Sequence, residues 1–135
     1  MFTIENKKYF APLTSSAKGK KLAVSPKLES TTFYPLKNCE LGGINFNNMI
    51  PVIDGVYELY DIKNEQNSKK KMLLQQQVIE IRKHSEKLIL KAKKIYNFKI
   101  SKKLFENYDP VTCDFLLLEQ MADLYYTKFK KVAKA

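Results

Sequence analysis

The spacing of apolar residues changes near residue 64, and this change restricts the fold more than any other feature of the chain. Before it, short alternating segments are separated by turn residues, as in antiparallel strands. After it, one set of positions recurs at alternating steps of four and three, which is the period of a helix face. This set is Leu74, Val78, Ile81, Ser85, Leu88, Ala92 and Ile95. The 135 residues therefore predict one α+β domain, β-rich over residues 1–62 and helical over residues 68–135.

The β-rich half is predicted to form short strands at residues 2–4, 8–11, 31–34, 44–46, 49–52 and 56–60. The first two strands form a hairpin, and Pro12 ends the second because proline lacks a backbone donor. Gly42 and Gly43 permit a tight turn before the fourth strand. Several short strands with turn signals between them favour a small, twisted, barrel-like antiparallel sheet with the helices packed on it.

The helical half begins at Ser68, the predicted N-cap of its first helix. Ser85 can cap a second helix, so one long helix and two consecutive helices both agree with the pattern over residues 68–103. A final helix is predicted to be capped by Asp114 or Thr112. Its predicted inner face consists of Leu118, Ala122, Tyr125, Phe129 and Val132.

The positive charge of the chain is confined to one segment. Residues 69–103 hold 12 of the 24 Lys and Arg residues and only two acidic residues, whereas the rest of the chain is neutral. On the predicted helix, four lysines lie well away from the apolar face: Lys83, Lys87, Lys91 and Lys94. This local field predicts a polyanionic partner. Arg82 is the single arginine, and lysines suit contacts with backbone phosphates better than bidentate reading of bases.

Several classes of function find no support in the residues present. No apolar run approaches the ~20 residues of a membrane span, and the first residues lack a signal-peptide pattern, so we expect a cytoplasmic protein without membrane contact. Cys39 and Cys113 are expected to be reduced packing residues. His84 is the single histidine and is expected at the surface, so no triad base, metal site or cofactor is predicted.

Two sequence blocks carry a resemblance to a known family. Residues 8–15 read Lys-Tyr-Phe-Ala-Pro-Leu-Thr-Ser, and residues 41–52 read Leu-Gly-Gly-Ile-Asn-Phe-Asn-Asn-Met-Ile-Pro-Val. Together they resemble the ToxN/AbiQ family, the endoribonuclease toxins of type III toxin–antitoxin systems. The resemblance continues through the helical region to Thr-Cys-Asp-Phe at residues 112–115, so it covers nearly the whole chain.

The resemblance implies a fold similar to that of the MazF/Kid-type toxins and a reaction without metal ion or cofactor. It implies cleavage of single-stranded, A-rich RNA through attack of the 2′-OH, which leaves a 2′,3′-cyclic phosphate and a 5′-hydroxyl. It further implies inhibition by a structured antitoxin RNA of pseudoknot repeats within a protein–RNA assembly. The implied role is phage defence by abortive infection, with cellular or phage RNA as the substrate.

The Thr-Ser pair of the first block belongs to the active site of the toxins that this chain resembles, and the corresponding residues are Thr14 and Ser15. The family's lysine often lies two residues after the serine, where this chain has Ala17, and Lys18 is the substitute candidate. The family's upstream Tyr and Lys have no counterpart, since this chain begins later than such toxins usually do. The expected RNA-binding residues are Lys20, Lys21, Lys69, Lys70, Lys71, Arg82, Lys83, Lys87 and Lys91.

Two other interpretations stay open at this point. A catalytically inactive fragment or shortened homologue would still bind RNA through its positive helical surface. A basic structural or ribosome-associated protein would explain the charge but not the two blocks. Two sets of residues suit RNA bases but equally suit the core or turns. The first is Tyr34, Phe46, Tyr57 and Tyr60, and the second is Asn45, Asn47 and Asn48.

Overall fold

The computed structural model describes residues 1–14, 32–37, 40–104 and 109–134. Within these residues, six short strands come first: β1 Phe2–Ile4, β2 Lys7–Phe10, β3 Leu13–Thr14, β4 Phe33–Pro35, β5 Gly43–Asn45 and β6 Ile50–Val52. Single 3₁₀ turns occupy Phe46–Asn48 and Ile62–Asn64. The α-helices of the described ranges follow: α1 Ser68–Lys83, α2 Ser85–Ile100 and α3 Phe115–Lys134. This order confirms the predicted α+β class.

The described strands form two three-stranded antiparallel sheets, with strand orders β1-β2-β6 and β3-β5-β4. The β1–β2 hairpin turns at Glu5 and Asn6, which have φ angles of 46° and 67°. Positive φ at both central residues is what a type I′ hairpin turn requires. Pro12 ends β2 as predicted, and its carbonyl accepts a 3.0 Å hydrogen bond from the Asn45 amide, which links the two sheets.

The predicted strand at residues 56–60 is wrong, because this segment is irregular. A strand needs a hydrogen-bonded neighbour, and residues 56–60 belong to neither described sheet. The Tyr57 ring instead packs edge-on against Phe10, with centroids 4.9 Å apart. Leu59 and Tyr60 are exposed. The alternating pattern therefore reflects one anchoring side chain rather than a paired strand.

Two consecutive helices, rather than one long helix, occupy residues 68–100. The break is at His84, whose φ and ψ of −111° and 19° are not helical. The first helix is capped by Asn67, whose side-chain oxygen accepts from the Lys70 amide at 3.1 Å, so the predicted cap at Ser68 is wrong by one residue. Asp114 caps α3 as predicted, because its carboxylate accepts from the Leu117 amide at 3.1 Å.

The core lies between the sheets and the helices. Its fully buried side chains are Tyr9, Phe46, Phe115, Leu36 and Met49. From α2, the predicted face contributes three buried residues, Leu88, Ala92 and Ile95. From α1, the buried residue is polar: Gln77 is 3% exposed, and its amide nitrogen donates to the Leu41 carbonyl at 2.9 Å. Burying an amide is favourable only with such a partner, so this bond fixes α1 on the sheet.

The inner face of α3 differs from its prediction. Phe115 and Glu119 are buried, and Leu118 and Ala122 are half-buried, whereas Tyr125 is 56% exposed. The prediction of Tyr125 as an inner residue is therefore wrong, because only the first two turns of α3 pack on the core. The side chains of Phe129 and Val132 lie outside the described part of the chain.

The carboxylate of Glu119 is buried because it has partners on two other elements. The Tyr96 hydroxyl of α2 donates to it at 2.7 Å, and the Lys7 ammonium of β2 lies 3.9 Å away. Burial, together with the bond to Glu119, raises the pKa of the Tyr96 hydroxyl well above its ordinary value. Tyr96 therefore stays a neutral donor, and the Glu119 carboxylate ties α3 to α2 and β2.

Candidate functional site

The two blocks at residues 8–15 and 41–52 pair with each other. Strand β2 pairs with β6, so that Phe10 lies opposite Ile50. Strand β3 pairs with β5, so that Thr14 lies opposite Gly43. Two segments separated by a lysine-rich stretch thus become neighbouring strands, and their long-range pairing fixes the backbone around Thr14.

Thr14 is the last residue of β3, at one end of the described β3-β5-β4 order, and its side chain is half-buried. The hydroxyl residue that the sequence singles out is thus placed where an ordered strand ends. The other candidates from this part of the sequence, Ser15, Lys18, Lys20 and Lys21, lie outside the described residues. Their roles stay predictions.

Gly43, opposite Thr14, has no room for a side chain. A Cβ atom at this position would lie 2.1 Å from Cζ of Phe33 and 2.7 Å from the backbone oxygen of Tyr34. The preceding Gly42 has a φ of 78°, in the left-handed region that glycine adopts without strain. The Gly-Gly pair of the second block therefore serves two purposes: Gly42 makes the turn, and Gly43 admits the Phe33 ring beside the strand that carries Thr14.

We expect Gly43→Ala to lower the free energy of unfolding by about 1–3 kcal/mol, as other overpacked positions do. Thermal denaturation followed by circular dichroism would measure the loss. In a Phe33→Leu background the same substitution should cost less, because the ring contact is gone while the contact with the Tyr34 oxygen remains. An equal cost in both backgrounds would contradict the role assigned to the ring.

The third matching region, residues 112–115, docks on the second block through Asn47. The Cys113 amide donates to the Asn47 carbonyl at 2.9 Å, and the Asn47 side chain donates to the Val111 carbonyl at 3.3 Å. Thr112 and Phe115 are buried beside these bonds. Of the two interpretations of the asparagines, the structure therefore supports a structural one for Asn47, and all three matching regions meet in one place.

The predicted RNA-binding residues of the helices lie on α1 and α2. At the start of α1, Lys69 and Lys70 are exposed, and the Lys71 ammonium donates to the Lys63 carbonyl at 3.2 Å. Lys70 lies 3.8 Å from Glu65 and 5.3 Å from the centroid of the Tyr60 ring. Such exposed ion pairs are weak and exchangeable, so the ammonium groups stay accessible to phosphates.

Near the break between the helices, Arg82, Lys83 and Lys87 are exposed, whereas Lys91 is half-buried. Lys83 lies 3.5 Å from Glu80. Because Glu80 and Glu86 are the only acidic residues among residues 69–103, α1 and α2 present a surface of strongly positive charge. We call these four basic residues together with Lys69, Lys70 and Lys71 the helical basic surface.

His84 belongs to the helix junction. Its ring is 37% exposed, with Nε2 3.5 Å from the Glu80 carboxylate, and its centroid lies 6.4 Å from that of Tyr34. Burial and the nearby Glu80 raise the pKa of the Tyr34 hydroxyl. Tyr34 is therefore a neutral, half-buried residue that packs β4 against the helices.

Among the four aromatic candidates for base stacking, the structure separates core from surface. Phe46 is 1% exposed, and the Tyr57 ring is engaged with Phe10. Tyr60 is 57% exposed and is the most accessible of the four. Sequence reasoning missed Phe98 on α2, which is 36% exposed within the lysine-rich helix. Its signal was a spacing of four residues from Lys94.

Two general features complete the description of the site. Within the ranges that the structure describes, none of the helices is both long and apolar enough to cross a bilayer. In the same ranges, His, Cys, Asp and Glu side chains form no group of three or more that could hold a metal ion. Cys113 is half-buried with a free thiol, and Cys39 lies outside the described residues.

Comparison with known proteins gives one consistent result. The model of the ToxN toxin of type III toxin–antitoxin systems matches residues 1–123. The chain is 32% identical over 133 residues to the endoribonuclease ToxN of Pectobacterium atrosepticum, a match that covers 97% of this chain and 72% of that protein. It is 33% identical over 126 residues to the endoribonuclease AbiQ of Lactococcus lactis subsp. lactis, covering 89% and 67%.

Solved structures agree with the sequence comparison. The fold is similar to that of AbiQ, a lactococcal anti-phage endoribonuclease of a type III toxin–antitoxin system, with a TM-score of 0.68 and 30% identity over 91% of this chain and 74% of that one. It is also similar to a structure from a bacterial antiviral system that a processed non-coding RNA regulates. That similarity has a TM-score of 0.70 and 30% identity, and it covers 90% of this chain and 73% of the other.

Proposed function

The chain belongs to the ToxN family of toxins from type III toxin–antitoxin systems, and we propose that it cuts single-stranded RNA without a metal ion and is inhibited by a folded antitoxin RNA. Endoribonuclease activity follows from this membership, since both curated relatives are endoribonucleases. The observation that carries the proposal is the pairing of Thr14 with Gly43, which unites the two family blocks at the end of β3.

The proposed reaction uses the nucleophile that RNA itself carries. The 2′-OH loses its proton and attacks the neighbouring phosphorus, the bond to the 5′-oxygen breaks, and that oxygen takes up a proton. The products are a 2′,3′-cyclic phosphate and a 5′-hydroxyl. The protein need only orient the reacting groups, transfer protons and stabilise the charge of the phosphorane. Hydroxyl and ammonium groups are sufficient for these tasks.

We assign these tasks to Thr14, Ser15 and Lys18. The two hydroxyl groups would hold the scissile phosphate and donate hydrogen bonds to its non-bridging oxygens. The Lys18 ammonium would offset the negative charge that builds up on those oxygens. The support for Thr14 is its position at the end of a strand fixed by family residues, while the support for Ser15 and Lys18 is sequence alone.

The RNA partner is proposed to lie on the helical basic surface, with Lys20 and Lys21 contacting the strand near the cleavage point. Lysine-rich surfaces bind the phosphate backbone with little regard to sequence, so the A-rich preference would arise at the cleavage site. A non-coding RNA regulates the system of one structural neighbour, and AbiQ is an anti-phage enzyme. By extension, we propose inhibition by pseudoknot repeats of an antitoxin RNA in a protein–RNA assembly, and a cytoplasmic role in abortive infection.

We also keep the barrel-like closure, with its similarity to MazF/Kid-type toxins, as part of this proposal. Its support is the connectivity: only Ala11 and Pro12 separate β2 from β3, and the turn Phe46–Asn48 leads from β5 towards β6. Short links of this kind keep the two small sheets adjacent and let them curve around one core.

The experiment that tests the proposed function is incubation of the purified chain with an A-rich single-stranded RNA, with and without a folded RNA made of its cognate repeats. We expect site-specific fragments from the RNA alone and their loss when the folded RNA is added at equal concentration. Binding of both RNAs without any fragments would support the catalytically inactive, RNA-binding interpretation instead.

A further inference from the structure

Phe98 is an exposed aromatic residue in the most basic part of the described surface. It lies on α2, where residues 87–100 contain five lysines and no acidic residue. Its side chain is 36% exposed, and the Lys94 ammonium lies 5.6 Å from the centroid of its ring. Neither the family blocks nor the residues of the helical basic surface include Phe98 or Lys94.

Phe98 continues the line of lysines along the helix. Steps of four, three and four residues lead from Lys87 through Lys91 and Lys94 to Phe98. Residues with this spacing lie on one helix face, and the four positions together cover about 16 Å at 1.5 Å per residue. The result is a row of ammonium groups with an aromatic ring at one end, and the ring is already in contact with the last ammonium of the row.

A row of this composition matches single-stranded RNA. Ammonium groups neutralise successive phosphates, and an aromatic face stacks on an unpaired base whatever its identity. In a duplex the bases are stacked on one another, so the ring would gain nothing. An ammonium lying against a ring is readily exchanged for a base, and Lys94 would then be free to contact the phosphate of the same nucleotide.

We propose that Phe98 is a stacking platform for one unpaired base of bound RNA and that Lys94 neutralises the adjacent phosphate. This inference rests on the proposed function, because it assumes an RNA partner. It adds a base-binding position to a surface that otherwise contacts the backbone alone, and it explains why a large apolar ring is exposed between lysines.

The chain contains no tryptophan, so a Phe98→Trp variant carries a single fluorescent reporter at the proposed platform. The probe is an A-rich oligonucleotide of 2′-O-methyl RNA, which the proposed chemistry does not cleave, compared with one of equal length and charge that lacks its bases. We expect quenching of the tryptophan fluorescence by the first oligonucleotide and little quenching by the second, since only the first can stack. Leu124→Trp, at a position 61% exposed on α3, is the matched control and should respond to neither.

Removal of the ring gives a second measurement. Phe98→Ala should weaken binding of the A-rich oligonucleotide on the order of 10-fold and leave binding of the base-free one unchanged, whereas Phe98→Tyr should bind like the wild type. Equal quenching by both oligonucleotides, or no weakening in Phe98→Ala, would refute the platform. If the wild-type chain binds both oligonucleotides in a salt-dependent way but these effects are missing, the platform fails and the proposed function stands. A wild-type chain that binds no RNA would overturn both.

Discussion

Replacing Ser15 by alanine is expected to lower the rate of RNA cleavage by about 10²–10³-fold, as loss of one transition-state donor does in other enzymes. Binding of an uncleavable A-rich RNA should change little, because affinity is spread over many phosphate contacts. Thr14→Ala should have the same sign and a smaller size if Thr14 chiefly positions the residues that follow it. Single-turnover cleavage, measured with the dissociation constant at the same salt concentration, separates the two effects.

The neighbouring Ser16→Ala variant is the matched control, since it removes an identical hydroxyl one residue away. It should cleave at the wild-type rate. Undiminished cleavage by the Ser15→Ala variant would remove Ser15 from the site. An equal loss in both variants would point to a general effect on this segment rather than to one hydroxyl at the phosphate.

Reversing the charge of Lys83, Lys87 and Lys91 together to glutamate should weaken RNA binding on the order of 10²-fold at low salt. The slope of log K against log salt concentration should become shallower by about 2, since each lost phosphate contact releases fewer counterions. Surface substitutions away from packing seldom change stability by more than about 0.5 kcal/mol, so circular dichroism should show an intact fold.

A triple reversal elsewhere provides the control for net charge. Lys37, Lys63 and Lys128 are exposed and lie outside α1 and α2, and their change to glutamate alters the net charge equally. We expect this variant to keep most of the affinity and nearly the wild-type salt slope. Equal weakening by the two triple variants would mean that RNA responds to total charge and that the helical basic surface has no special role.

The sequence predicted those parts of the fold that depend on local spacing. Leu88, Ala92 and Ile95 are buried as their period requires, and Asp114 caps α3. The buried polar residues Gln77 and Glu119 were not predicted, because their burial depends on partners far away in the chain. Residues 56–60 failed for a related reason: alternation indicates a strand, but pairing decides whether one forms.

The candidate site was predictable in identity more than in geometry. The family blocks identified Thr14 from its neighbours in the sequence, but nothing local indicated that it would pair with Gly43. The steric need for glycine at that position became evident only with the Phe33 ring in place. Similarly, the sequence located the lysines of α2, whereas the exposure of Phe98 beside them depends on which side of the helix faces the core.

The most direct test of the proposed chemistry is cleavage of an A-rich RNA in excess EDTA, followed by analysis of the fragment ends. Attack by the 2′-OH predicts full activity under these conditions, with a 2′,3′-cyclic phosphate on one fragment and a 5′-hydroxyl on the other. A substrate with a 2′-O-methyl group at the cleaved nucleotide should resist cleavage, because its nucleophile is blocked. Loss of activity in EDTA, or fragments that carry 5′-phosphates, would contradict the proposed mechanism.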